Sequence, residues 1–257
     1  MLATVAALGK PAYDALLKDL RESAYIHGDE TGWRENGQNG YLWSFSNSTI
    51  CYFIYPKTRA GHVVTDVLGD SYKGALVSDF YAGYNTHLGL HQRCWVHLLR
   101  AVHELCCKFP TPGVFAWAKS LRDIYDRAKA FKHANSRERA RARVGFQEEL
   151  VALASPYTNT LLPQNTLCKR LLQFESEMFT FVEYPFIPSE NNAAERSIRP
   201  RVIARKISGG TRSETGSTTM VVLSSLFATW KLRGTDTLAA CRKMLASAAT
   251  QPKPAPT

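Results

Sequence analysis

Residues 11–23, PAYDALLKDLRES, place apolar side chains at helical spacing and predict an amphipathic helix with Pro11 near its start. Downstream the period shortens. SAYIHGDETGW (23–33), GYLWSFSN (40–47) and TICYFIYP (49–56) are short and rich in aromatic and β-branched residues, with turn signals between them at 35–40 (ENGQNG) and 46–48 (SNS). They predict a three-stranded antiparallel meander. AGHVVTDVL (60–68) fits a short helix, and GALVSDF (74–80) fits a buried strand ending at Asp79. YAGYNTHL (81–88) predicts a helical turn, and HQRCWV (91–96) a fifth strand that leads into a helix through about residue 108.

Beyond KFPTPG the chain turns helical and basic. Trp117, Leu121, Ile124 and Ala128 recur at helical spacing, and SRERARARVGFQEELVALA (136–154) has a charged first half and an apolar second half. A third helix is expected over roughly 165–182, before YPFIPS breaks it. Residues 190–206 predict a further helix, or a pair split by Pro200. There Ser189 would N-cap, Glu190 would complement the helix dipole, and Glu195 would pair with Arg199 at i,i+4. SGGTRSETGS (208–217) predicts a loop, and TTMVVLSSLFATWKL (218–232) an apolar helix ended by Gly234. The terminal TQPKPAPT reads as disordered, and no internal repeat is visible.

Three antiparallel strands, a helix, a strand, a helical turn, a strand and then helices is the order of a ribonuclease H-like α/β fold. The expectation is a five-stranded mixed sheet with flanking helices and an α-helical insertion before the last catalytic helix. The corresponding division is an N-terminal helix (1–22), the first part of the core (23–108), the insertion (109–187), the catalytic helix with a basic loop and closing helix (188–234), and a C-terminal tail (235–257).

The 257 residues are 45% hydrophobic and 21% charged, ample for a real core. Thirty-two Lys and Arg against 22 Asp and Glu give +10, which favours a polyanionic partner, most simply nucleic acid. The six cysteines (51, 94, 106, 107, 168, 241) form no CxxC pair, so a reducing cytoplasm is expected. There is no apolar run of about 18 residues to span a membrane. The early apolar stretch precedes its first cation, Lys10, and so does not read as a signal peptide.

In the expected fold the first and fourth strands lie side by side, bringing Asp29 and Asp79 to one place, with Glu195 available on a covering helix. Converging carboxylates need cations, and two Mg2+ ions (or Mn2+) about 3.5–4 Å apart would serve. One ion would activate water or a DNA 3′-hydroxyl, and the other would stabilise the leaving oxygen. Glu30 could replace Asp29, although neighbours on a strand face opposite ways, so only one can point into a site. Glu190 could replace Glu195. Arg196, Arg199, Arg201, Arg205, Lys206 and Arg212 stand against only Glu190 and Glu195 in 190–212. They lead into a Gly-Gly loop whose N–H groups could approach phosphates. The Arg cluster at 136–143 also suits phosphates better than base edges. No helix-turn-helix is evident, so DNA binding without choice of sequence is expected. Trp33, Trp43 and Trp95 are assigned to the core.

DETGW, LVSDFYAGYN, QRCWVHLLR, NNAAERSIRP and RKISGGTRSETG resemble, in order, the catalytic core of insertion sequence 66 family transposases, over roughly residues 10–233. The resemblance implies a DDE-type transposase with Asp29, Asp79 and Glu195 as the acidic triad. It implies a supporting role for Cys94 and His97, which otherwise read as a buried Cys closing a strand and a His near a helix start. It further implies DNA strand cleavage and strand transfer on transposon ends and target, homo-oligomers on DNA, other proteins of the same element as partners, and a bacterial, nucleoid-associated location. Family members are longer, with an upstream helix-turn-helix and a cysteine-containing zinc-binding segment, so the expectation is a split, truncated or excised core. The alternatives are an inactive, truncated transposase-derived DNA-binding protein and another ribonuclease H-like nuclease.

Overall fold

The computed structural model describes residues 1–131 and 135–249. The disorder expected for TQPKPAPT lies outside the described residues. Among the described residues are ten α-helices and one five-stranded mixed sheet, in the order β3-β2-β1-β4-β5. None of these helices is long and apolar enough to cross a membrane. The described residues divide into two compact units, 1–74 with 82–88 and 193–249, and 75–81 with 89–131 and 135–192.

The first unit opens with α1 (Leu2–Arg21), which begins well before the expected start and runs through Pro11. Ala6, Gly9, Tyr13, Leu16 and Leu20 are buried at alternating steps of three and four. That stripe continues across the proline, so packing outweighs the single N–H the proline removes. Then β1 (Tyr25–Glu35), β2 (Gln38–Ser46) and β3 (Cys51–Ile54) form the antiparallel meander. The β1–β2 hairpin turns on Asn36 and Gly37, both at positive φ (49° and 78°), the two-residue turn whose twist suits paired strands. At the next turn the Asn47 carboxamide oxygen accepts from the N–H groups of Thr49 and Ile50, each at 2.8 Å. Trp33, Trp43 and Phe45 are all buried, as is Tyr84 from the 3-10 turn Ala82–Thr86. The unit also holds α2 (His62–Leu68), most of α8 (Asn192–Ser208), α9 (Glu214–Leu232) and α10 (Thr237–Ala249).

Helix α9 seals the open edge of β3. Ser225 Oγ accepts from the Phe53 N–H at 2.8 Å, and Thr229 Oγ1 accepts from the Cys51 N–H at 3.0 Å while donating to the Cys51 carbonyl at 3.2 Å. An edge strand's unpaired N–H groups are thereby satisfied by side chains of a buried helix. Helix α9 starts four residues before the expected point because Ser213 caps it, accepting from the Gly216 N–H at 3.1 Å. Helix α10 lies where only a tail was expected, and Asp236 Oδ1 accepts from the first-turn N–H groups of Leu238 and Ala239.

The second unit contains β4 (Ala75–Ser78), β5 (His91–Arg93), α3 (Trp95–Lys108), α4 (Pro112–Ala130), α5 (Ser136–Ala154), α6 (Asn165–Gln173) and α7 (Thr180–Glu183). The two strands are parallel, with Ser78 opposite Arg93. Its core gathers Trp95, Leu98, Trp117, Leu121, Phe146, Leu150, Leu171 and Phe179. The single helix expected over 165–182 is broken at Phe174, passes through a 3-10 turn at Glu175–Glu177, and resumes at Thr180. The reason is competition for the ladder. The Met178 carbonyl accepts from Gln92 Nε2 (3.0 Å) and Trp95 Nε1 (2.6 Å), and the Phe181 N–H donates to Gln92 Oε1 (3.0 Å). Side chains of β5 and α3 thus hold backbone groups that an unbroken helix would have paired internally.

Candidate active site

Asp29 is half-buried on β1, and its Oδ1 accepts from the Glu30 N–H at 2.9 Å. Strand pairing sets it opposite Ser44. Glu30 serves a different purpose. Its side chain is 4% exposed, Arg59 Nε donates to it at 2.9 Å with Nη2 on the same oxygen, and the Tyr84 hydroxyl donates to its other oxygen. Both carboxylate oxygens are therefore engaged by a cation and a phenol, which removes Glu30 as the substitute for Asp29.

Helix α8 presents Glu195. Ala194 and Ile198 are its buried residues, and Glu195, one residue from the first and three from the second, sits half-buried beside that stripe. The helix runs unbroken through Pro200, which is exposed, instead of splitting there. It is fastened to the meander and to α9 at three points. Ser197 Oγ and Ser44 Oγ are 2.8 Å apart, Arg201 Nη1 donates to Ser224 Oγ at 2.9 Å, and Arg205 Nη1 donates to Thr31 Oγ1 at 3.0 Å and to the Gly32 carbonyl. Because Ser44 faces Asp29 across the strand pair, the first fastening ties the helix bearing Glu195 to the strands bearing Asp29. The cap expected at Ser189 is not formed: the helix begins at Asn192, Glu190 precedes it, and the Ser189 hydroxyl is buried against that of Tyr125 at 3.0 Å.

The six cations expected to meet DNA fall into two groups. Arg196, Arg199, Lys206 and Arg212 are exposed, while Arg201 and Arg205 are half-buried and hold α8 in place. Burial lowers the Arg201 pKa from its ordinary value, with Cys51 nearby opposing that shift. The Gly-Gly loop has a structural occupation. The Thr211 N–H donates to the Arg34 carbonyl at 2.8 Å, the Asn36 N–H donates to the Thr211 carbonyl at 2.9 Å, and Trp33 Nε1 donates to Thr211 Oγ1 at 3.1 Å. Gly210, at φ 116°, passes so close that a Cβ would stand 2.1 Å from the Arg34 carbonyl oxygen. Its glycine is required by the close approach to β1.

In the second unit Asp79 follows the last residue of β4, and its Oδ1 accepts from the Tyr81 N–H at 2.9 Å. Cys94 is buried at the N-cap position of α3, where its Sγ accepts from the Asn191 N–H at 3.1 Å, joining the start of α3 to the segment just before α8. His97 lies half-buried in the first turn of α3. In the 136–143 cluster, Arg137 and Arg141 are exposed. Arg139 donates to the Glu183 carbonyl (3.1 Å), and Arg143 to the Glu183 carboxylate (2.6 Å) and the Ser176 carbonyl (2.7 Å). Half of that cluster is therefore internal bracing. Sequence reasoning missed Arg93, which is fully buried and donates to the Asp79 carbonyl at 2.9 Å and to the Glu177 carboxylate. The available signal was an arginine inside the short stretch HQRCWV that reads as a strand.

Among the described residues, no group of three or more His, Cys, Asp or Glu is gathered to hold a metal ion. The donors proposed by sequence are nonetheless all carboxylates, the oxygen ligands that hard divalent cations take.

A family model described as Transposase IS66 family matches residues 1–219. The uncharacterized protein y4jO of Sinorhizobium fredii is 29% identical over 169 residues, 65% of this chain and 50% of its own length. The uncharacterized protein y4jD of the same organism is 23% identical over 259 aligned residues, 88% of this chain and 50% of its own length. The chain thus spans about half the length of the curated relatives it matches. No solved structure matches it significantly.

Proposed function

The chain belongs to the Transposase IS66 family, and from that premise we propose that it is the catalytic core of a DDE-type transposase that cuts DNA and transfers the cut strand. The strand order, with three antiparallel strands followed by a parallel pair, supports a ribonuclease H-like fold. In this reading α4 to α7 are the insertion between the last strand and the catalytic helix α8. The observation that carries the proposal is the Ser197–Ser44 hydrogen bond, which fastens the helix of Glu195 to the strand pair of Asp29.

Asp29, Asp79 and Glu195 would hold two Mg2+ or Mn2+ ions. When bound, such ions supply a nucleophilic hydroxyl at neutral pH and charge stabilisation for the transferred phosphoryl group. This assignment rests on donor chemistry and family membership rather than on a preassembled cage. The chain's own residues orient the ligands: the Tyr81 N–H fixes one oxygen of Asp79, the Glu30 N–H one oxygen of Asp29, and Cys94 the approach to α8. The exposed Arg196, Arg199, Lys206 and Arg212 would take backbone phosphates, which position DNA without reading it. The partners in this reading are transposon ends and target DNA, a second copy on DNA, and other proteins of the same element, in the nucleoid-associated cytoplasm.

One second reading is a DNA-binding protein without chemistry, which the +10 charge and the exposed Arg196, Arg199, Lys206 and Arg212 would serve equally well. One experiment separates the two. Glu195→Gln and Asp29→Asn should abolish Mn2+- and Mg2+-dependent strand cleavage and transfer on transposon-end DNA and leave DNA affinity nearly unchanged. No metal-dependent cleavage by the wild type supports the second reading, and equal loss of cleavage and binding in Glu195→Gln makes Glu195 structural.

A further inference from the structure

We infer that Arg93 is a positioning residue for Asp79, and that the turn after α6 is part of the same device. The inference rests on the reading of Asp79 as a metal ligand.

A fully buried arginine is costly to keep, because its charge must be desolvated and then satisfied. A leucine would fill that strand position without the cost. Arg93 is satisfied in a specific way. Nε donates to Glu177, Nη1 donates to the Asp79 carbonyl at 2.9 Å and to Ser78 Oγ at 3.2 Å, and the guanidinium lies 4.4 Å from the centre of the Phe174 ring. Phe174 in turn meets Phe80 edge-on at 5.6 Å, and Arg170 lies 5.4 Å from the Phe80 ring centre. Residues 78, 79 and 80 are therefore each tied to Arg93 or to the 170–177 segment. They form the point where β4 ends, and beyond Ser78 ladder pairing no longer fixes the backbone. The Asp79 carboxylate is then aimed by its own loop through the Tyr81 N–H. The planar fork of arginine reaches Glu177 on one side and the strand end on the other, and lysine's single ammonium cannot reproduce that. A ligand displaced by about 1 Å can cost about a hundredfold in rate, so holding this backbone still is worth a buried charge. The helices between 109 and 187 thus contribute to the site through Glu177 and Phe174.

The test uses the full chain and Mn2+ alone, read by the loss of the free-ion paramagnetic resonance signal. Glu177→Gln, whose side chain is 26% exposed, keeps the shape and removes the counter-charge. Arg93→Lys keeps the charge and removes the fork. Each should raise the Mn2+ Kd about tenfold or more, as loss of an orienting partner does at other metal sites. Affinity for random DNA should stay within about twofold, and faster amide exchange should be confined to peptides covering 78–82 and 174–181. If Arg93→Lys does not fold, Glu177→Gln carries the test. A folded Glu177→Gln with wild-type Mn2+ affinity overturns the inference, as does faster exchange spread through the whole second unit. Asp79→Asn separates the two ideas. If it abolishes Mn2+ binding while Glu177→Gln does not weaken it, only the positioning role fails. If Asp79→Asn binds Mn2+ normally, or the wild type binds none, the ligand reading fails and takes this inference with it.

Discussion

Replacing Gly210 with alanine should unfold the 209–213 loop from β1 at a cost far above that of the same change at Gly209. Both glycines have positive φ, 73° at Gly209 and 116° at Gly210. A Cβ on Gly209 meets nothing within 4 Å, so Gly209→Ala should cost only left-handed backbone strain, about 1 kcal/mol. A Cβ on Gly210 would stand 2.1 Å from the Arg34 carbonyl oxygen and 2.9 Å from its carbon. Arg34 is locked opposite Asn39 in the hairpin, so the loop must lift instead. Lifting stretches the Thr211–Arg34 and Asn36–Thr211 backbone hydrogen bonds, at about 1 kcal/mol each, on top of strain of about 1–3 kcal/mol. The total is about 3–5 kcal/mol, measured as the shift in urea unfolding free energy. At roughly 2–4 °C per kcal/mol, the melting temperature should fall by about 6–20 °C. If the glycines serve phosphate approach instead, Gly210→Ala would fold normally and bind DNA more weakly. A Gly210→Ala protein within about 1 kcal/mol of Gly209→Ala would refute the steric argument.

Ser225→Ala together with Thr229→Val should strand the N–H groups of Cys51 and Phe53, costing about 1–3 kcal/mol per stranded group by urea denaturation, with light scattering rising as the bare edge self-associates. Replacing Arg199, Lys206 and Arg212 with alanine should flatten the dependence of log DNA affinity on log salt by up to about 0.9 for each phosphate no longer neutralised, whereas Arg201→Ala should leave that slope unchanged because its guanidinium is committed to Ser224. Burial pushes the Cys51 and Cys168 thiols up from 9.0 to about 11, so the native state holds these protons longer than the unfolded chain does. The stability this confers is complete below about pH 9 and lost as pH rises towards 11, and the decline in urea midpoint over that window should shrink in Cys51→Ala.

The meander was legible because its turn chemistry is local: Asn36-Gly37 and Asn47 each act within a few residues. The span of α5 could be read directly, since Asn135 and Glu138 form a capping box beside it. Failures came where a distant group overrode a local preference. The helix expected over 165–182 broke because Gln92 and Trp95, more than eighty residues earlier, claimed the Met178 carbonyl. Pro200 did not split α8 because Ser197, Arg201 and Arg205 fasten the helix on both sides of it. The elements carrying Asp29 and Glu195, and the strand that ends one residue before Asp79, were identified from pattern. Arg93, Glu177 and the structural half of the basic block were not, because a charged residue's letter does not say whether it faces solvent or a partner far along the chain.

The covering of β3 by α9 also sets a schedule for synthesis. Cys51 and Phe53 are made 178 and 172 residues before the side chains that satisfy them. At about 5–20 residues per second, the ribosome takes roughly 9–36 s to span that interval. During it the meander can already have formed, with its outer edge bare and able to pair with the same edge on a neighbouring nascent chain of the polysome. A stop codon before Ser225 would make that interval permanent. Late nonsense mutations in this gene should therefore yield insoluble chains even though every strand has been translated.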